Sequence, residues 1–213
     1  MKRLRLLLGD DHVLFLEGVR TLLEGNFEIV GAVENGRELL EAAVAIQPDA
    51  ILLDITMPLL NGIDATRQLR TLVPQSKIII VTMHADPEYV HEAFRAGASA
   101  YVLKQSAVSE LVIAIETVLH GSTYITPLIT GESLQKLRKT GGHAFTSGSL
   151  LTPRQREVLQ LVAEGCTSKQ IARLLQISVK TVEFHKSRIT KGLGMHSVAQ
   201  VTRYAMRTGI VGQ

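Results

Sequence analysis

AILLDITMPLLNG, residues 50–62, places a single acid, Asp54, at the end of an apolar run. Ile51, Leu52 and Leu53 lie between Pro48 and Pro58, the pattern of a short strand buried on both faces of a parallel sheet. A charge is costly in the middle of such a strand. At the carboxyl end, where open parallel sheets place their ligand crevices, it is a candidate reactive group. An acid there can also be no more than a cap for the next segment, and what else reaches the same edge decides between the two.

Outward from this stretch, residues 1 to about 120 alternate short apolar runs with segments whose apolar residues recur every three or four positions. Strands are expected near Leu4–Gly9, Glu28–Val33, Ala50–Leu53, Lys77–Val81 and Ala100–Leu103. Helical patterns run near Val13–Glu24, Arg37–Ile46, Ala65–Leu72, Pro87–Ala96 and Ala107–His120. Five βα rounds with right-handed crossovers predict an α/β fold, a doubly wound five-stranded parallel sheet. The loops after its strands share one edge, so Asp10, Asp11, Asp54, Thr82 and Lys104 should meet there. Three carboxylates so placed repel, each pair by about 4 kcal/mol at ~4 Å and an effective dielectric of ~20. A divalent cation relieves this, and all-oxygen ligands with room for water suit Mg²⁺. Asp54 can then attack phosphorus in line while Lys104 balances charge, and Thr82 can donate its hydroxyl to the product. Taken singly, each residue also has a mild reading as a cap, a turn residue or a surface charge.

Asp10-Asp11, LLDITMP at 52–58, Asn61-Gly62, Thr82 and GASAYVLK at 97–104 with its Tyr101 closely resemble the receiver domain of two-component response regulators. The resemblance covers residues 1 to about 122. It implies a flavodoxin-like fold, Asp54 as phosphoacceptor, Mg²⁺ held by Asp11, Asp54 and the backbone carbonyl of Thr56, and Thr82 with Tyr101 as a coupled switch. Asp10 completes the acidic pair beside the metal. Two positions depart from the family pattern. Leu59 stands where receivers often carry glycine, and Lys104 is followed by Gln105 instead of proline, so a cis peptide is not implied there.

The 213 residues carry a formal charge of +3 that hides a split. Residues 1–149 hold 13 Lys and Arg against 17 acids, and residues 150–213 hold 10 against 3. A small basic domain behind an acidic one points to a polyanionic partner, because Lys and Arg release counterions from phosphates. Cys166 is the only cysteine, which excludes an intrachain disulfide and a thiolate metal cluster and fits a reducing cytoplasm. It reads as a small buried residue at a helix end. The apolar run before Gly9 is too short for a signal peptide, and no stretch approaches membrane-spanning length.

Residues 123–149 read as a linker. Tyr124–Pro127 is extended, Leu128–Arg138 allows one amphipathic helix, and Thr140–Gly148 is rich in Gly, Ser and Thr. Residues 150–213 then change to helical patterns alone. Thr152-Pro153 with Gln155 gives a capping box and a proline at the first helical position, Thr167 with Gln170 repeats the box, and Ser178 can cap a third helix. On that helix Val182, His185, Ile189 and Leu193 share one side and should face the core, with His185 packed and hydrogen-bonded. Lys180, Thr181, Phe184, Ser187, Arg188 and Lys191 lie outward, with Glu183 at the margin. An exposed Phe184 among cations is explained by contact with thymine methyl groups in a major groove, and Glu183 could accept from cytosine. Two short helices with a tight turn make a helix-turn-helix. Leu151 to Ile189 resembles the LuxR-type DNA-binding domain, and with a receiver in front the chain resembles the NarL/FixJ class. That resemblance implies a recognition helix from about Ser178 to Lys191 and dimerisation through the last helix.

The sequence thus predicts a cytoplasmic DNA-binding response regulator, not an enzyme. A sensor histidine kinase would phosphorylate it on Asp54, controlling homodimerisation and binding to double-stranded promoter DNA. A phosphorylation-independent regulator using the receiver as a dimerisation module is the alternative. An aspartyl-phosphate phosphatase would want a second acid where Thr56 stands.

Overall fold

The computed structural model describes residues 3–129, 151–195 and 197–212. In the first part, strands β1 (Arg5–Gly9), β2 (Glu28–Val33), β3 (Ala50–Leu53), β4 (Lys77–Thr82), β5 (Ala100–Leu103) and β6 (Tyr124–Ile125) form one parallel sheet in the order β2-β1-β3-β4-β5-β6. Helices α1 (Val13–Leu23), α2 (Gly36–Ile46), α3 (Gly62–Leu72), α4 (Pro87–Ala96) and α5 (Ala107–Leu119) connect them. The doubly wound architecture is the expected one. The sheet has a sixth strand where five were expected, because the extended pair after α5 bonds to β5. The sequence reads Tyr124–Pro127 as extended, but a two-residue pairing with no apolar run of its own is too short to announce a strand.

Each buried strand feeds two cores. Leu7, Ile51, Leu53, Ile78 and Ile80 point to the α2, α3 and α4 side, while Leu6, Leu8, Leu52, Ile79 and Val81 point to the α1 and α5 side. Every such side chain removed from water contributes about 1.5–3 kcal/mol. Alternation over two covered faces is why these strands read as continuous apolar runs. Helix α3 starts at Gly62 rather than near Ala65, since Asn61 caps it by accepting from the amide of Asp64. Gly62 is required for a second reason: a Cβ there would stand 2.0 Å from the Asp54 carbonyl oxygen.

In the second part, α6 (Pro153–Ala163), α7 (Ser168–Leu174), α8 (Val179–Leu193) and α9 (Val198–Arg207) enclose a core that includes Val158, Leu161, Ile171, Val182, Ile189, Val201 and Tyr204. Thr152 with Gln155 and Thr167 with Gln170 form capping boxes, and Ser178 caps α8 through the Thr181 amide, all as the sequence predicts. His185 corrects its expectation: it is partly buried, but its Nδ1 has no hydrogen-bond partner. Cys166 is partly buried, and burial raises its thiol pKa. The predicted helix over Leu128–Arg138 falls almost wholly outside the described residues.

The two parts pack against each other through the loop that follows β3 and the first turns of α2 and α3. Gln160 on α6, fully buried, accepts from the Asn61 amide at 2.8 Å and donates to the Met57 carbonyl at 2.9 Å. Arg156 pairs with Asp64 at 2.9 Å, and Glu157 with Arg37 at 3.0 Å. Leu59 packs against the helical core with φ at 65°, while its amide donates to Glu164 at 3.2 Å. The left-handed region costs a branched residue about 1–2 kcal/mol, which contacts across the boundary must offset.

Candidate functional site

The carboxyl ends of β1, β3, β4 and β5 bring Asp10, Asp11, Asp54, Thr82 and Lys104 to one rim, as the sequence predicts. Asp10 follows the last β1 residue, Asp54 follows β3, Thr82 ends β4, and Lys104 follows β5. The pairings Gly9↔Leu53 and Thr82↔Leu103 set these four side by side. Lys104, with its side chain only 6% exposed, holds Asp10 and Asp54 together, its Nζ 2.7 Å from an oxygen of each. Burial alone would lower the lysine pKa. The Asp54 and Asp10 carboxylates more than reverse that, so it lies above the ordinary value. Asp10 is raised above the usual carboxylate range because desolvation outweighs its bonds to Lys104 and His12.

Asp10, Asp11, His12 and Asp54 each offer a ligand atom, all within 4.8 Å of one another. Asp54 Oδ1 is buried with no hydrogen-bond partner. A buried carboxylate oxygen without a donor is costly unless a cation meets it. The residues therefore fit a hard divalent ion bound by oxygens. His12 was missed in the sequence. It is the N-cap residue of α1, and its Nδ1 lies 3.1 Å from Asp10 and 2.9 Å from Asp11.

A second group surrounds Tyr101. Its fully buried hydroxyl donates to the His84 carbonyl at 2.7 Å, and burial, then the Asp54 charge, raises its pKa. The His84 ring stacks on Tyr89 with centroids 4.3 Å apart, and its Nε2 is 3.0 Å from Thr56 Oγ1. Burial lowers the His84 pKa. Thr82 Oγ1 is 3.5 Å from the His84 amide. His84 thus links the switch pair expected from the sequence to the loop after Asp54. A histidine two residues beyond a strand carries no sequence signal for that role. Among the described residues no peptide is cis, Lys104–Gln105 included.

On α8, Lys180, Glu183, Phe184, Ser187, Arg188 and Lys191 are exposed and Thr181 is partly so. Phe184 is 56% exposed, with the Arg188 guanidinium 5.5 Å from its ring centroid. Glu183 is tied within its own domain to Ser168 and to Lys186, and these bonds lower its pKa.

An aspartate rim on a doubly wound sheet, followed by a helix-turn-helix with a basic outer face, defines a signal-receiving module joined to a DNA reader. Residues 6–116 match the model of the response regulator receiver domain, and residues 149–205 match that of the bacterial regulatory proteins of the luxR family. The chain belongs to the response regulators that carry a LuxR-type DNA-binding domain. It is 35% identical to the transcriptional regulatory protein MctR of Rhizobium johnstonii over 99% of this chain and 97% of the relative. It is 36% identical to LiaR of Bacillus subtilis over 98% and 99%. Among solved structures it resembles the RcsB response regulator of Salmonella typhimurium, with TM-score 0.63 and 26% identity over 96% of this chain and 97% of that one. A LuxR-family response regulator from Aurantimonas gives TM-score 0.61 and 35% identity over 65% and 99%. The protein is a two-component transcriptional regulator, a member of a family of regulators rather than of classical enzymes. Among the described residues no helix is long and apolar enough to cross a membrane.

Proposed function

We propose that a sensor histidine kinase phosphorylates this chain on Asp54 and that the modification controls its homodimerisation and its hold on promoter DNA. The observation that carries the reading is the pairing at Asp54. One carboxylate oxygen is clamped by Lys104 at 2.7 Å, and the other is buried without a partner. That leaves a desolvated nucleophile beside an acidic cluster.

Asp10, Asp11, Asp54 and the carbonyl of Thr56 would hold Mg²⁺, with His12 turned from the two acids it now meets. When bound, the ion supplies charge neutralisation on the phosphoryl oxygens. The residues do the rest. An Asp54 oxygen attacks phosphorus in line, the P–N bond to the kinase histidine breaks, and the released imidazole keeps the electron pair and takes a proton. Lys104 is placed to follow the charge from the carboxylate to the new acyl phosphate. The Thr82 hydroxyl, which has only a long contact in hand, would donate to the phosphoryl group. Asp10, freed from sharing Lys104, regains the ordinary need for a cation.

The α8 face would enter the major groove. Lys180, Arg188 and Lys191 contact phosphates or base edges, Thr181 and Ser187 act as short donors, and Phe184 packs on thymine methyl groups. Glu183 first has to leave Ser168 and Lys186 before it can read cytosine. RcsB, a structural neighbour, has been solved in complex with DNA, which supports DNA as the partner here. Domain limits of 1–122, 123–149 and 150–213 and a cytoplasmic location complete the reading.

The test is to treat the purified chain with phosphoramidate and MgCl₂ and to follow mass, oligomer size and promoter binding together. A gain of one phosphoryl group that Asp54→Ala abolishes is expected. No gain, or a gain that survives the substitution, removes the chemistry. Unchanged promoter regulation by Asp54→Asn in cells would favour the phosphorylation-independent reading.

A further inference from the structure

Among the described residues, the α6 side chains bonded to the receiver come from one side of that helix, and the helical wheel says which. Arg156, Glu157, Gln160 and Glu164, the α6 residues bonded to the receiver or its loop, fall within about 100° of arc. Val158, Leu159, Leu161 and Val162, which pack against α8 and α9, centre on roughly the opposite side. Helix α6 therefore stands between the receiver and α8, and a helix with its side chains is about 10–12 Å across. Among the described residues, the hydrogen bonds, ion pairs and cation–π contact of the α8 outer face stay within the helical domain: Glu183 with Ser168 and Lys186, Thr181 with Ser178, and Phe184 under Arg188. On α9, Val198 and Met206 are likewise exposed.

Two residues make the docking specific. Leu59 adopts a left-handed backbone to place its side chain on the helical core. Gln160 spends both ends of its amide on the same loop, at Asn61 and Met57. Behind them, Gly209 approaches Tyr89 so closely that a Cβ would stand 1.9 Å from the phenol oxygen.

We propose that the docked chain is itself competent to bind DNA, with Leu59 and Gln160 acting as a latch that holds the receiver behind α6 while the α8 face reads the duplex. The proposal rests on the assignment of α8 as the DNA-reading helix. It makes the latch a device that fixes the receiver relative to DNA, and not a mask over the recognition face.

The experiment uses the full chain and a random-sequence duplex of about 30 base pairs at low salt, where non-specific binding is measurable. Amide-resolved hydrogen exchange is recorded at Leu59 and Asn61, whose N–H groups are donated across the boundary. Saturating duplex should leave their protection within twofold of the free protein. Gln160→Ala should lower that protection at least tenfold without DNA, yet change duplex affinity by less than twofold. Leu59→Gly, which removes the plug and the left-handed strain together, should do the same if Gln160→Ala folds poorly. Loss of protection on binding duplex, a tenfold rise in affinity on breaking the latch, or protection indifferent to both substitutions overturns the proposal. If Lys180→Ala and Arg188→Ala leave duplex affinity unchanged, the assignment of α8 fails instead.

Discussion

Replacing Lys104 by methionine tests the electrostatics of the rim directly. The side chain has nearly the same length, but the ammonium that now lies 2.7 Å from both Asp10 and Asp54 is gone. Both carboxylates are buried, so their charges lose a partner and cannot recover it from water. Removing one member of a buried ion pair costs about 3–5 kcal/mol. For a domain of this size 1 kcal/mol corresponds to roughly 3–5 °C, so the first unfolding transition should fall by about 10–25 °C at pH 8 in EDTA. The sign of the pH dependence follows from the shifts. Lys104 is raised in the folded state, so its contribution is complete below the unfolded lysine value of about 10.5 and is lost only as pH rises through the higher folded value. At pH 8 the wild type therefore keeps all of it. In the variant, Asp10, already raised by burial, takes up a proton as pH falls, so the deficit narrows toward pH 5. MgCl₂ should also stabilise the variant more than the wild type, since the ion replaces the missing positive charge. Paired thermal and urea denaturation at pH 8 and pH 5, with EDTA or MgCl₂, measures all of this. A loss under about 1 kcal/mol at pH 8, or a deficit that widens in acid, would refute the reasoning.

Gly62→Ala should destabilise the receiver by at least about 2 kcal/mol, measured by urea denaturation, because the new Cβ would meet the Asp54 carbonyl oxygen at 2.0 Å and backbone cannot yield as a side chain does. Thr152→Ala removes the cap and capping box of α6 and should cost the helical domain about 1 kcal/mol in the same assay. Lys180→Ala should reduce the slope of log affinity against log salt by about 1 with little effect on stability, as read by fluorescence anisotropy. His84 is depressed below 6.5, so the unfolded chain binds its proton first, and stability should fall as pH drops below 6.5 toward the folded value. His84→Asn should flatten that part of the stability curve.

What the sequence made legible was local or periodic. Ile51 to Leu53 announced a doubly covered strand, Thr152-Pro153 and Thr167 announced helix starts, and the five rim residues followed from topology once the βα alternation was read. What it hid depends on how surfaces meet. Gln160 sits on the polar side of α6, where its pattern says solvent, and only the docked receiver makes it fully buried. Leu59 showed as a departure from glycine, but its reason is a neighbour nearly a hundred residues or more away in the chain. His12 and His84 gave no signal because a histidine becomes informative only through the groups its ring nitrogens reach.

The short strand β6 gives the connector an anchorage with a particular address. The Thr126 amide donates to the Tyr101 carbonyl at 2.9 Å, and Thr126 and Tyr124 both hydrogen-bond Glu110 on α5. The root of the segment leading to the second domain is thus moored on the very residue whose phenol senses the loop beyond Thr82. A displacement of that tyrosine's backbone would therefore reach Thr126 directly, without involving Leu59 or Gln160.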